Sequence, residues 1–163
     1  MSDGDIRRIV ISGARGSGKT TEASRLVEEF RDRGLRVGGV LSLHEHPGDP
    51  EREGYRFRFL TTGEELPYAR RSPEPTPPSR RFRFDPAAFE RARAELEAAR
   101  GTVVVIDECG PLEARGEGLW VPLARLWREP ARTVVITVRA SLIERFLVRL
   151  GPAPVEPRIV RLP

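Results

Sequence analysis

The 163 residues contain no asparagine and no glutamine, and lysine occurs once, at Lys19, against 27 arginines. One cysteine, Cys109, excludes a disulfide framework and any multi-cysteine metal site. No apolar run approaches the roughly 20 residues that a bilayer-spanning helix needs. The first residues lack an apolar h-region, so a secretory leader is not expected and a cytoplasmic setting is. The absence of Asn and Gln, one Met and 15 prolines suit a hot-living source. A codon bias toward Arg, Ala, Gly and Pro gives the same pattern.

What is present reads as a globular chain: 39% hydrophobic and 32% charged residues, with acidic and basic groups interspersed. The length fits one domain, 1–163, whose core needs no staples. The net charge of +4 permits a polyanionic partner. A solvated basic surface is the expectation ahead of a nucleic-acid face.

Regular elements alternate along the chain. Ile6 to Ser12 reads as a buried strand, followed by a glycine-rich turn from Gly13 to Thr20. A helix then carries Ala23, Leu26, Val27 and Phe30 on one stripe, and Arg36 to Leu43 forms a second strand. A strand–crossover–strand unit of this kind favours a parallel sheet. Residues 44–84 differ, holding seven of the 15 prolines. There Tyr55, Phe57 and Phe59 alternate with Arg56 and Arg58, and Phe82 and Phe84 alternate with Arg81 and Arg83. With Ser72 to Ser79 as an extended loop, this is a small antiparallel excursion from the main sheet. Asp85 and Pro86 then open a helix with Phe89, Ala92, Leu96 and Ala99 on its buried stripe. Thr102 to Ile106 is an apolar strand of the kind covered on both faces. Leu119, Leu123, Leu126 and Trp127 mark a helix, and Thr133 to Val138 a fourth central strand. Ser141 and Glu144 predict a capping box for a helix ending at Gly151, and Arg158 to Leu162 an edge strand.

The residues Gly13-Ala14-Arg15-Gly16-Ser17-Gly18-Lys19-Thr20 match G-x-x-x-x-G-K-[ST] between a strand and a helix. Composition alone produces the motif in roughly one such chain per thousand. Glycines at 16 and 18 let amide groups turn inward around phosphate oxygens, and the helix beginning near Lys19 adds its positive end. Lys19 is expected on the β- and γ-phosphates and Thr20 on Mg²⁺. In a chain that otherwise uses arginine, the lone lysine is a compact point charge inside the loop. Arg15, within the loop, is expected to face solvent. The acidic pair Asp107-Glu108 ends the apolar third strand, where ligands collect in open parallel sheets. Asp107 is placed for Mg²⁺ and Glu108 to orient or deprotonate water. Should the strand 133–138 insert between the loop strand and the acidic strand, Arg139 becomes a cationic sensor of the γ-phosphate.

Other signals are weaker. His44 and His46 lack a third metal ligand. The aromatics of 55–84 are expected to pack inward rather than stack on nucleic acid. Guanine selection by Asn-Lys-x-Asp needs an Asn that the chain lacks, which disfavours a switch GTPase.

Beyond this motif, the chain resembles the P-loop nucleoside-triphosphatase family described from thermophiles and a human cancer-related relative. The resemblance rests on Gly13 to Thr21, Gly38-Gly39-Val40, Gly54-Tyr55, Phe82 to Asp85 with Phe89, and Asp107-Glu108-Cys109-Gly110-Pro111-Leu112-Glu113. It implies a three-layer α/β fold of RecA-like strand order and Mg²⁺-dependent hydrolysis of ATP, GTP and other nucleoside triphosphates. It further assigns nucleotide contact to Gly13 through Thr21. Departures from the family pattern are His44-Glu45-His46 after the second strand, Pro111 after Gly110, and Arg139 ending the fourth. A monomeric hydrolase is the first expectation. A small nucleoside or nucleotide kinase and a nucleotide-dependent RNA-binding module are the alternatives.

Overall fold

The computed structural model describes residues 6–74, 81–99, 101 and 103–163. Among the described residues thirteen elements follow in chain order. They are β1 (Arg8–Gly13), α1 (Lys19–Asp32), β2 (Val37–Glu45), β3 (Gly54–Phe59), β4 (Glu65–Arg71), β5 (Phe82–Phe84), α2 (Pro86–Ala98), β6 (Val103–Cys109), α3 (Pro111–Ala114), α4 (Trp120–Arg128), β7 (Thr133–Arg139), α5 (Ile143–Leu150) and β8 (Pro157–Arg161).

All strands join one sheet in the order β5-β4-β3-β2-β6-β7-β1-β8. The five strands from β2 to β8 in that order pair in parallel, and β2 through β5 pair antiparallel. Strand β7 therefore separates the loop strand β1 from the acidic strand β6, as the sequence predicted. The central strands are largely apolar because helices cover both faces. On β6, Val103 and Val105 pack with α1 residues Ala23, Val27 and Phe30. Val104 and Ile106 face the opposite way, toward Leu96 of α2, Leu126 of α4 and Phe146 of α5. Two cores on one sheet make three layers. Among the described residues no helix is long and apolar enough to cross a membrane.

Two glycine-dependent approaches hold the site end of the sheet in place. Gly39 has φ 110, and a Cβ there would lie 2.0 Å from the Val105 carbonyl oxygen. Its lack of a side chain lets β2 close on β6. Gly16 and Gly18 have φ 76 and 93, the left-handed values that the loop turn requires.

The antiparallel part is larger than the sequence suggested. Strand β4 was not among the expected elements, and it carries Pro67, which is unusual in a strand flanked on both sides. Pro67 sits opposite Arg56, beside a register shift between Tyr55 and Arg56, where ladder donors are already lost. The predicted capping box of α5 is absent. The helix starts at Ile143 after Leu142, without a side-chain cap, so Ser141 lies one residue too early. The Asp85 cap is present, its carboxylate accepting the Ala87 amide at 3.0 Å. Of the loop expected over 72–79, residues 75–79 lie outside the described set, as does Thr102 of the predicted third strand. At the opposite end of the sheet, the fully buried Arg8 donates to the carbonyl oxygens of Trp127 and Glu129 at 2.8 and 2.5 Å, tying β1 to the end of α4.

Candidate active site

The loop from Gly13 to Gly18 leaves the carboxyl end of β1 and delivers Lys19 and Thr20 as the first residues of α1. Lys19 is buried inside the loop, 7% exposed, with Nζ donating to the Gly13 and Ala14 carbonyl oxygens at 3.1 and 2.8 Å. Gly13 must lack a side chain, since a Cβ would meet Ser17 Oγ at 2.2 Å. Ser17 Oγ is itself buried and finds no protein partner. A buried, unpaired hydroxyl beside the left-handed Gly16 and Gly18 suits an anion-binding nest. Thr21 lies exposed on the first turn of α1.

Opposite the loop, Asp107 is 1% exposed and fully hydrogen-bonded. Its Oδ2 accepts the Thr20 hydroxyl at 2.7 Å and the Ser42 amide at 3.0 Å. Its Oδ1 accepts the Thr137 hydroxyl at 2.5 Å and the Glu108 amide at 2.9 Å. Burial pushes the Asp107 carboxyl above its ordinary value, while the bonds from Thr137, Ser42 and Thr20 oppose that push. The oxygens of Thr20 and Asp107 are hard donors that suit a small divalent cation completed by phosphate and water. Among the described residues no three of His, Cys, Asp and Glu cluster as a metal site. A cation here would rest on Thr20, Asp107 and the bound phosphates. That donor set fits Mg²⁺ chemistry.

Glu108 occupies a left-handed backbone conformation, φ 59, at a break in the β6–β7 register between Ile106 and Cys109. In a regular strand, neighbours point to opposite faces. The break lets Asp107 face the loop while Glu108 opens into an adjoining cavity of about 370 Å³ that both residues line. The Glu108 amide is pinned by Thr137 Oγ1 at 2.8 Å, and its carboxylate lies 3.4 Å from Arg139. Arg139 is thus partnered with Glu108 in this state. Five residues after Glu108, Glu113 is buried and accepts the Gly110 and Leu119 amides at 3.0 and 3.1 Å. Burial pushes its carboxyl up to about 7.

Two functional neighbours were missed from the sequence. Thr137, in the middle of an apolar strand, reaches both carboxylate-bearing residues. Glu53, 6% exposed, pairs with Arg15 and, at 2.6 Å, with Arg81. Arg15 is exposed, as expected, but not unpartnered: it is held by Glu53 and, at 3.2 Å, by the Tyr55 hydroxyl. His44 stacks on Tyr55 at 5.0 Å, and His46 turns off the end of β2 with φ 51. Phe57 and Phe59 pack inward as expected, and Cys109 is buried, with its thiol pushed up by burial.

A glycine-rich loop closing on a buried lysine, a Thr–Asp oxygen pair and an acidic strand one removed from the loop strand define a P-loop NTPase. The family model described as NTPase matches residues 8–156, and the chain belongs to that family. It is 32% identical over 144 residues to nucleoside-triphosphatase THEP1 of Pyrococcus abyssi, covering 85% of this chain and 78% of the relative. It is 35% identical over 148 residues to nucleoside-triphosphatase THEP1 of Thermococcus kodakarensis, covering 85% and 79%. The fold is also that of a human cancer-related nucleoside triphosphatase, with TM-score 0.72 at 23% identity over 95% of this chain and 88% of that one. THEP1 from Aquifex aeolicus superposes with TM-score 0.72 at 22% identity over 95% and 89%.

Proposed function

We propose that the chain hydrolyses nucleoside 5′-triphosphates, ATP and GTP among them, to the diphosphate and phosphate with Mg²⁺ as the divalent ion. Loop amides from Gly13 to Thr21 cradle the phosphates, and Lys19 neutralises the β- and γ-phosphoryl oxygens. Thr20 and Asp107 hold the cation. When bound, that ion would neutralise charge on the phosphates. Glu108 accepts a proton from water as the water oxygen bonds to the γ-phosphorus, and the bond to the β–γ bridging oxygen breaks. Arg139, released from Glu108, steadies charge on the γ-phosphoryl group.

The observation that carries this reading is the left-handed Glu108 beside Asp107. A strained non-glycine residue costs about 1–3 kcal/mol and persists where its side chain is needed. Glu108→Gln tests the assignment. Phosphate release is expected to fall about 10²–10⁴-fold while nucleotide affinity stays within a few-fold of wild type. Normal turnover in this variant removes Glu108 from the role.

A further inference from the structure

The cavity that begins at Asp107, Glu108 and Arg139 continues between the antiparallel strands and α2 and α3. Its remaining wall is largely aromatic and aliphatic: Tyr55, Tyr68, Phe82, Phe84, Phe89 and Leu112. At about 370 Å³ it falls in the size range of small-molecule sites. A hydrolytic water needs only about 30 Å³.

The wall is built rather than loosely packed. Tyr68 is 6% exposed; its hydroxyl is bonded to Ser42 at 2.6 Å, which leaves only its ring for the cavity. Phe84 and Tyr68 both meet Phe89 edge-on, at 5.8 and 5.5 Å. Near the loop, Glu53 fixes Arg15 and Arg81, so two guanidinium groups stand on the cavity wall.

Position decides what this space serves. Of the loop residues 13–21, only Arg15 lines it. A triphosphate held by those amides carries its own base from the α-phosphate end, away from Glu108. The γ-phosphate end faces Asp107, Glu108 and Arg139, and an in-line nucleophile approaches from there.

We propose that this cavity is a second ligand site, taking a nucleoside-class molecule, a planar base on a hydroxyl-bearing sugar, on the side from which the γ-phosphate is attacked. The ring enters among Phe82, Phe84 and Leu112, with offset or edge-on contact to the aromatics. The hydroxyls lie toward Glu108, and a phosphate on the ligand, if present, meets Arg15 and Arg81. Its occupation fills the path of the hydrolytic water. The inference rests on the triphosphatase reading for the direction of the γ-phosphate.

The test uses full-length protein saturated with Mg²⁺ and β,γ-imido-ATP, which fills the phosphate loop without turning over. Adenosine, guanosine, cytidine, uridine and their 5′-monophosphates are titrated in by calorimetry. At least one is expected to bind one-to-one to the loaded protein, and the two arms show whether a phosphate adds affinity. Leu112→Trp, which fills the space, and Phe84→Leu, which removes a ring, are expected to weaken that binding at least tenfold. Phosphate release from ATP without added probe should stay within twofold of wild type in Phe84→Leu, which leaves the water path open, and should fall in Leu112→Trp, whose indole occupies it. With ATP turning over, the binding probe lowers phosphate release in wild type without raising the KM for ATP.

The proposal is overturned if none of the eight probes binds the loaded wild type, or if binding occurs only in competition with ATP. Equal binding by wild type and a folded Leu112→Trp, or binding that leaves phosphate release unchanged, overturns it as well. Failure of the triphosphatase reading has its own signature: β,γ-imido-ATP does not bind and no phosphate is released.

Discussion

The backbone at Glu108 allows stability and chemistry to be separated in one pair of variants. Glu108→Ala and Glu108→Gly both delete the carboxylate, and both lose its ion pair with Arg139. That pair is worth little, because Glu108 is 29% and Arg139 38% exposed at a separation of 3.4 Å. The variants differ only in what φ 59 asks of them. Alanine keeps the Cβ that disfavours the left-handed region by roughly 1–2 kcal/mol, and glycine does not. Glycine's greater freedom in the unfolded chain takes back part of this, leaving a net of about 1 kcal/mol in favour of glycine. For a chain of this size that shifts the melting midpoint by roughly 2–4 °C. Scanning calorimetry reads the midpoint, and phosphate release reads turnover. The expected result is that both variants lose turnover equally while Glu108→Gly melts higher than Glu108→Ala. An alanine variant at least as stable as the glycine variant refutes the claim that Glu108 is held under strain.

Thr137→Val keeps the shape of the buried strand but leaves Asp107 Oδ1 and the Glu108 amide with one bond fewer each; about 1–3 kcal/mol of stability should go. Urea unfolding reads that loss, and a fall in kcat greater than any change in KM marks Thr137 as a positioning residue. Glu113, held near 7 against an ordinary 4.5, binds its proton more tightly folded than unfolded. Its contribution is therefore full below about pH 4.5 and is lost as pH rises through 7, a span of about 3 kcal/mol. Glu113→Gln should flatten the decline in melting midpoint between pH 5 and 8; an unchanged slope contradicts the assignment. Glu53→Gln loosens Arg15 and Arg81 from their common partner, so affinity for the triphosphate should change more than kcat, read from KM in phosphate-release assays.

The parts legible in the sequence were those fixed by local pattern. Gly13 to Thr20 announces its turn through residue types alone, and Asp107 and Glu108 follow a strand whose apolar run already requires two covering layers. Strand order was expected from the P-loop class that the loop and the acidic strand matched, in which the strand 133–138 inserts between them, and not from periodicity. What stayed hidden depends on contacts across many residues or on backbone angles. Nothing around Ile106 to Cys109 signals a register break, because a left-handed glutamate is imposed by Thr137 from a neighbouring strand. Glu53 looked like one charge among many, since its arginines lie 38 and 28 residues away in the chain. Strand β4 went unseen because it carries Pro67, tolerated where the register shifts with Tyr68 as the extra residue of that same strand, and no local pattern announces such a bulge. Ser141 misled in the opposite direction: a correct capping pattern stood one residue outside the helix it was meant to start.

The central claim is that the lone lysine, enclosed by its loop, makes this site bind and cleave a triphosphate. Mg²⁺-dependent phosphate release across ATP, GTP, CTP and UTP, with wild type and Lys19→Ala assayed side by side, tests it most directly. Release by the wild type that vanishes both without Mg²⁺ and in the variant is the predicted result. Equal release by the two proteins, with the variant still folded, contradicts it.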